Sequence, residues 1–223
     1  MYYEPGNSAH GLPFNPFKSC IVPRPIAWIS TVSKTGIVNL APFSQCNIVG
    51  WDPPYVMFSA FTRPGGRPKD SVTNAEETGE FVFNMATYDL RDAVVRTSVI
   101  EAPGIDEMAD AGLTATPASL VAAPLVAESP VNLECRHIRT VELPSATPGM
   151  FNSMVIGQVV AIHVKDDALT AEGKLDISRI KPLARMGYLD YAVVSEVFEL
   201  RPEGLSDRLI EGMSGGLVHP DKV

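Results

Sequence analysis

The chain is short of cysteine, of basic residues and of long apolar runs, and each shortage argues against a class of protein. Its three cysteines, Cys20, Cys46 and Cys135, are an odd count without a CxxC pair, so neither a disulfide framework nor a zinc ribbon is suggested, and they read mostly as small buried hydrophobes. No stretch reaches the roughly eighteen apolar residues of a membrane-spanning helix, and no basic segment followed by an apolar one opens the sequence. A soluble, cytoplasmic protein with no membrane partner is the expectation. The 18 Lys and Arg face 26 Asp and Glu, a net charge of −8, which argues against nucleic acid as a partner because a phosphate backbone requires a basic face. The four histidines, His10, His137, His163 and His219, show no HxH, HxxxH or HExxH spacing, so a histidine-built metal site is not expected. GxGxxG and Walker A loops are absent too, and with them the familiar nucleotide cradles.

What the chain does contain is a series of apolar, β-branched segments punctuated by proline and glycine. With 223 residues, 45% hydrophobic and 20% charged, it can bury a large core, and no Gly/Ser-rich or highly charged linker divides it. Residues 1–22 read as an arm rich in Pro, Gly and Asn, with Phe14 and Phe17 as anchors on the core. Residues 23–200 read as the folded domain and 201–223 as a tail. Strands are expected over 26–32 and 37–40, joined by a turn at 33–36 with Gly36 at positive φ, and over 55–61 after Asp52-Pro53-Pro54. Pro42 is expected to interrupt the ladder. A short helix over 71–78, capped by Asp70 or Ser71 and ended by Gly79, precedes a strand over 80–86. A second helix over 88–97 would turn Leu90, Val94 and Val95 inward. Residues 98–112 look polar, with Asp106, Glu107 and Asp110 solvated. Further strands are expected over 121–126, 131–142, 154–165 and 191–200, the middle two antiparallel across a proline loop. The sum is a mainly β barrel with peripheral short helices.

Two stretches suggest a ligand. In the first, Asn39, Ser44, Gln45 and Asn47 interrupt apolar runs that would otherwise make an ordinary buried sheet. In the second, the loop TRPGGRPKD carries Arg63, Arg67 and Lys69 into a helix start, so a cation, a hydroxyl and a helix N-terminus converge where a phosphate could sit. Taken alone, that triplet more often marks an ordinary capped helix with a solvated lysine than a phosphate site. Residues 212–216 match GxSxG, but a nucleophile elbow needs a strand before it and a helix after it, and the match is read as chance. No histidine is placed beside Cys46 by the sequence. Trp28 and Trp51 are assigned to core or dimer packing.

The segments PRPIAWISTVSKTGIVNLAPFSQCNIVGWDPPYVMFS, KDSVTNAEETGEFVFNM, ESPVNLECR and PLARMGYLDYAVV, in this order, resemble the flavin reductase-like family with the FMN-binding split β-barrel. Within it the chain looks most like the branch that includes the reductase component of nitrilotriacetate monooxygenase. The resemblance runs from about residue 11 to about residue 200 and implies a homodimer that binds FMN, with FAD admitted, near the subunit interface. It implies an oxidoreductase, an NAD(P)H-dependent flavin reductase that moves hydride from the nicotinamide C4 of NADH or NADPH to flavin N5 and supplies reduced flavin to a partner monooxygenase or other acceptor. The alternative within the family is a non-catalytic FMN-binding electron carrier. Carried over by position, Ser44, Gln45, Cys46 and Asn47 would contact the isoalloxazine and ribityl chain, and Ser59 would face the same ligand. Lys69, Asp70 and Ser71 match a KDT-like phosphate element, with Ser71 in place of Thr. Arg185 and Tyr191 match a C-terminal element that approaches the flavin. No catalytic side chain is expected, because the flavin brings its own electron-accepting centre.

Overall fold

A computed structural model describes residues 1–6, 10–99, 104–201, 203–206, 209–210, 212 and 215. Regular structure opens with β1 (Arg24–Pro25) and β2 (Ala27–Val32), and β2 is buried on both faces from Ala27 to Thr31, as its unbroken apolar and β-branched sequence requires. After the turn, with Gly36 at φ 86°, β3 (Val38–Phe43) returns antiparallel in the register Val32↔Val38 to Ala27↔Phe43. Pro42 does not interrupt this ladder: it lies inside β3 opposite Trp28. It is tolerated because β3 is an edge strand, where a missing N–H forfeits no bond. An unanticipated strand, β4 (Cys46–Trp51), then forms a hairpin with β5 (Pro54–Phe61).

The chain continues through α1 (Asp70–Thr78), β6 (Glu80–Met85), α2 (Arg91–Arg96) and α3 (Glu107–Asp110). Next come β7 (Ala115–Thr116), β8 (Leu125–Val126) and the two long strands β9 (Val131–Pro144) and β10 (Phe151–Val164). The last described elements are α4 (Ile177–Ile180), β11 (Leu183–Gly187) and β12 (Asp190–Val193). The strand expected over 191–200 therefore stops at Val193, and the exposed Glu196, Val197 and Phe198 beyond it have no ladder to join. Among the described residues no helix is long and apolar enough to cross a membrane.

Seven strands make one antiparallel sheet in the order β3-β2-β6-β9-β10-β5-β4, and β1-β11-β12 make a smaller one. The strands β3 and β4 are opposite edges of the large sheet, yet only Ser44 and Gln45 separate them in sequence. Such a link spans at most about 11 Å, so the sheet must curl until its edges meet at this end, which makes it a split barrel. The Ser59 N–H donates to the Gln45 carbonyl at 2.7 Å and holds the closure. Inside, Ile29, Phe43, Phe58, Phe81 and Val155 pack with Val72 and Ala75 of α1, which plugs the barrel. Phe58 meets Phe81 edge to face at 5.3 Å. Gly157 makes room for that pair, since a Cβ there would stand 2.5 Å from the Phe81 ring.

On the outer face of β2 and β3, Trp28, Leu40, Val94, Met108 and Leu183 form a second core, and Trp28 Nε1 donates to Thr97 Oγ1 at 2.8 Å. In α2, Val94 is buried but Val95 is 50% exposed, because a six-residue helix presents one narrow face. Trp51 is exposed rather than packed within the chain, and Phe14 and Phe17 are exposed as well. Phe14 meets the Tyr188 ring, at 5.9 Å, instead of anchoring in the core. Of the cysteines, Cys46 and Cys135 are buried and Cys20 is exposed. The GxSxG match at 212–216 lies mostly outside the described residues.

Gly157→Ala is expected to lower stability by about 1–3 kcal/mol through overpacking against Phe81. The check is a denaturant midpoint that falls with unchanged slope, and an unaltered midpoint would contradict the close packing.

Candidate functional site

Where the barrel edges meet, a cleft of about 680 Å³ opens, within the range of small-molecule and cofactor sites. Its floor is the β3–β4 link with Pro42, Phe43, Ser44 and Gln45, and the end of β5 with Ser59, Ala60 and Phe61. One wall is the N-terminus of α1 with Lys69, Asp70 and Ser71, together with Asn39, Arg63 and Glu107. The other is the arm residues Asn15, Phe17 and Lys18, then Arg24, and Arg185, Gly187 and Tyr188 of β11 and its turn.

The α1 wall is polar and almost fully cross-bonded. Arg63 Nη2 meets Asp70 Oδ2 at 2.5 Å. Asn39 Nδ2 donates to Ser71 Oγ at 2.8 Å, which leaves the Ser71 O–H to donate elsewhere. Asp70 does not cap the helix: it is its first residue, Lys69 is the cap position in extended conformation, and no side chain bonds the cap. Asp70 is drawn to Arg63 instead; the Val72 and Thr73 N–H groups donate to the Lys69 carbonyl at 3.0 and 3.1 Å, while those of Asp70 and Ser71 precede the first helical acceptor. Lys69 makes no ion pair among the described residues. Burial, and then the Arg63 charge, lower its ammonium pKa, partly offset by Asp70. The result is a half-buried cation beside a helix N-terminus.

Glu107 is not solvated, contrary to expectation. It is 9% exposed, and its Oε2 accepts the Leu40 N–H at 3.2 Å, which ties α3 to β3. Burial raises its carboxyl pKa; Asp70 adds to the rise, while the Leu40 N–H and Arg63 oppose it. Asp106 caps α3 by accepting the Ala109 N–H at 2.9 Å, and Asp110 pairs with Arg96 at 2.5 Å. A four-residue helix shows no periodicity, so nothing local in the sequence marks Glu107 as buried.

Of the ten residues that the family resemblance assigns to the flavin, seven stand on the cleft: Ser44, Gln45, Ser59, Lys69, Asp70, Ser71 and Arg185. Three do not line it. Cys46 points its Sγ to the Pro25 carbonyl at 3.2 Å, and burial pushes its thiol up to about 11, against the lowering effect of a backbone hydrogen bond with Ala27. Asn47 is exposed, and its Oδ1 takes the neighbouring Ile48 N–H at 2.9 Å. Tyr191 lies under the Arg185 guanidinium at 4.5 Å. Four consecutive residues, 44–47, cannot all face one ligand once a strand begins at Cys46, because side chains then alternate between faces. The wall of Lys18, Arg24, Gly187 and Tyr188 was missed; the glycine-tyrosine pair inside the PLARMGYLDYAVV segment was its sequence signal.

A family profile described as flavin reductase like domain matches residues 19–184. An uncharacterized protein of Halalkalibacterium halodurans is 36% identical over 180 residues, covering 81% of this chain and 86% of that protein. Among solved structures, nitrilotriacetate monooxygenase component B from Bacillus cereus is similar with a TM-score of 0.82 at 30% identity, over 90% of this chain and 98% of that one. A chain from Shewanella frigidimarina, described as a flavin reductase with split barrel domain, shares the fold with a TM-score of 0.69 at 24% identity, over 80% of this chain and 86% of its own.

Thiol labelling checks the placement of Cys46. At pH 8 only about a thousandth of a thiol titrating near 11 is thiolate, and burial also bars the reagent. Alkylation of the native protein should modify Cys20 alone, and all three cysteines after denaturation. Rapid native labelling of Cys46 would show that it faces an open site.

Proposed function

Because the chain belongs to the flavin reductase like domain family, we propose that it is an FMN-binding oxidoreductase, an NAD(P)H-dependent flavin reductase that supplies reduced flavin to a partner monooxygenase or another acceptor. The observation that carries this reading is the pairing of a cleft with apolar residues in its floor and a half-buried Lys69, without an ion-pair partner among the described residues, at the N-terminus of α1. A flavin mononucleotide needs those two environments at once, a slot for a planar ring and a cationic, N–H-rich end for a phosphate. The donor set fits it. Ser44, Gln45 and Ser59 offer side chains that both donate and accept toward the ring edge and ribityl chain, and Pro42, Phe43, Ala60 and Phe61 supply apolar surface. Lys69 neutralises the phosphate, while Ser71 and the first N–H groups of α1 donate to it. Asp70 acts indirectly by holding Arg63 in place. When bound, the flavin supplies the hydride-accepting centre, so the protein's task is to bind, orient and exclude water.

A homodimer belongs to the same proposal. The edge strand β4 exposes Ile48 at 66%, Val49 at 53% and Trp51 at 87%, an apolar, unpaired edge of the kind that a second copy covers. Similarity to a monooxygenase component B supports a monooxygenase as the recipient of reduced flavin.

Two outcomes follow. The purified protein with added FMN should show a flavin absorption spectrum that NADH or NADPH bleaches with turnover; a protein that stays colourless after added FMN would overturn the flavin reading. Bleaching that is slow with both donors would instead make it an electron carrier. Lys69→Ala should weaken FMN by about 1–2 kcal/mol, a charge-assisted contact reduced by solvent screening, and leave riboflavin, which lacks the phosphate, unaffected. Equal weakening of both would return Lys69 to the role of an ordinary residue before a helix.

A further inference from the structure

The wall of the cleft made by the arm, β1 and β11 holds three cations, Lys18, Arg24 and Arg185, that the proposed flavin mononucleotide site does not use. Arg24 on β1 and Arg185 on β11 are direct cross-strand partners, an arrangement of like charges that costs stability unless something neutralises it. Lys18, in the single turn of 3-10 helix over Phe17–Ser19, is brought beside them in two ways. Arg24 Nη1 donates to the Lys18 carbonyl, and to that of Ile21 at 3.1 Å. Ser19 also packs so closely on Gly187 that any Cβ at position 187 would collide with it. All three cations line the cleft. Among the described residues none of the three has a carboxylate within ion-pair distance, although acids outnumber bases in the chain. The Arg24 Nε is buried without any hydrogen-bond partner. Arg63 on the α1 wall also has a buried Nε without a partner, but unlike these three cations it has its acid in Asp70.

We infer that Lys18, Arg24 and Arg185 form a second anion-binding pole of this cleft, and that it receives the diphosphate of a dinucleotide. This inference rests on the flavin reductase reading, in which the monophosphate of FMN is already met by Lys69, Ser71 and the α1 N-terminus. Arg24 Nη1 is held by the Lys18 and Ile21 carbonyls and Arg185 Nη2 by the Tyr188 carbonyl, which fixes both guanidiniums in place; their remaining N–H groups and the Lys18 ammonium together carry three positive charges, which suits two linked phosphoryl groups better than one. Both NAD(P)H and FAD carry that diphosphate. The pole also explains how a chain without GxGxxG or Walker A loops can hold a dinucleotide: side-chain cations from the arm and the small sheet replace the glycine-rich backbone cradle.

The test is Lys18→Glu, a change at an exposed side chain with no packing to lose. Calorimetric titration with ADP-ribose, which has the diphosphate but no nicotinamide or flavin, should show binding to the wild type that the variant weakens about tenfold, while FMN affinity is unchanged. If the diphosphate belongs to the electron donor, the KM for NADH rises by a similar factor and FAD affinity holds. If it belongs to the flavin, FAD affinity falls and the KM for NADH holds. Undiminished ADP-ribose binding in the variant, or an equal loss of FMN, would overturn the inference. ADP-ribose binding that depends on Lys18 in a protein that does not take up FMN would sustain the pole and defeat the flavin reading.

Discussion

The closure of the sheet by two residues is the constraint on which the site depends. Because Ser44 and Gln45 join the strands at opposite edges of a seven-stranded sheet, the sheet curls, the edges converge, and the cleft forms where they meet. The hydrogen bond from Ser59 to Gln45 fixes that convergence. It also explains why the link is polar: residues there can serve neither the barrel interior nor a continuous ladder. Behind it, Phe58 and Phe81 pack edge to face, with Val72 and Ala75 bringing α1 into the same core. The helix N-terminus is thereby aimed at the cleft by the burial of its apolar side.

The chemistry this arrangement supports differs from that of an enzyme with a catalytic dyad. Lys69 and Arg63 stand with Asp70 and Glu107 on one wall, and the altered ionisation of Lys69 and Glu107 follows from burial first and neighbouring charge second; none of the four is placed as a nucleophile with a base. Burial keeps Cys46 a neutral thiol, inside the barrel. Such a site contributes position, charge and an apolar enclosure to a ligand that brings its own reactivity. The two cationic regions are built differently, one around a helix end and one from facing strands.

Much of the barrel was legible in the residues. The long strands β9 and β10 declare themselves by length, β-branched content and the proline loop between them, and α1 by the glycine that ends it. Where the reading failed, local pattern and tertiary demand disagreed. Strand β4 buries Cys46 and exposes the next three residues, so it has no alternation to detect. Pro42 breaks a ladder only in a central strand, and edge position is not a local property. Glu107 is buried because α3 covers β3, and Asp70 leaves the capping role because Arg63 reaches it from across a loop. Of the residues lining the cleft, seven were singled out by position in the family segments, whereas Arg24 and Tyr188, although inside those segments, and Lys18, outside them, join the cleft through the packing of β1 and the arm on β11.

The account stands or falls on what the cleft holds, and the most direct measurement is a crystal structure of the protein soaked with FMN. The account predicts the ring system against Ser44, Gln45 and Ser59 and the phosphate within hydrogen-bond distance of Lys69 Nζ, Ser71 Oγ and the first N–H groups of α1. A flavin bound elsewhere, or bound in the cleft with its phosphate on the Lys18 and Arg24 side, would contradict it.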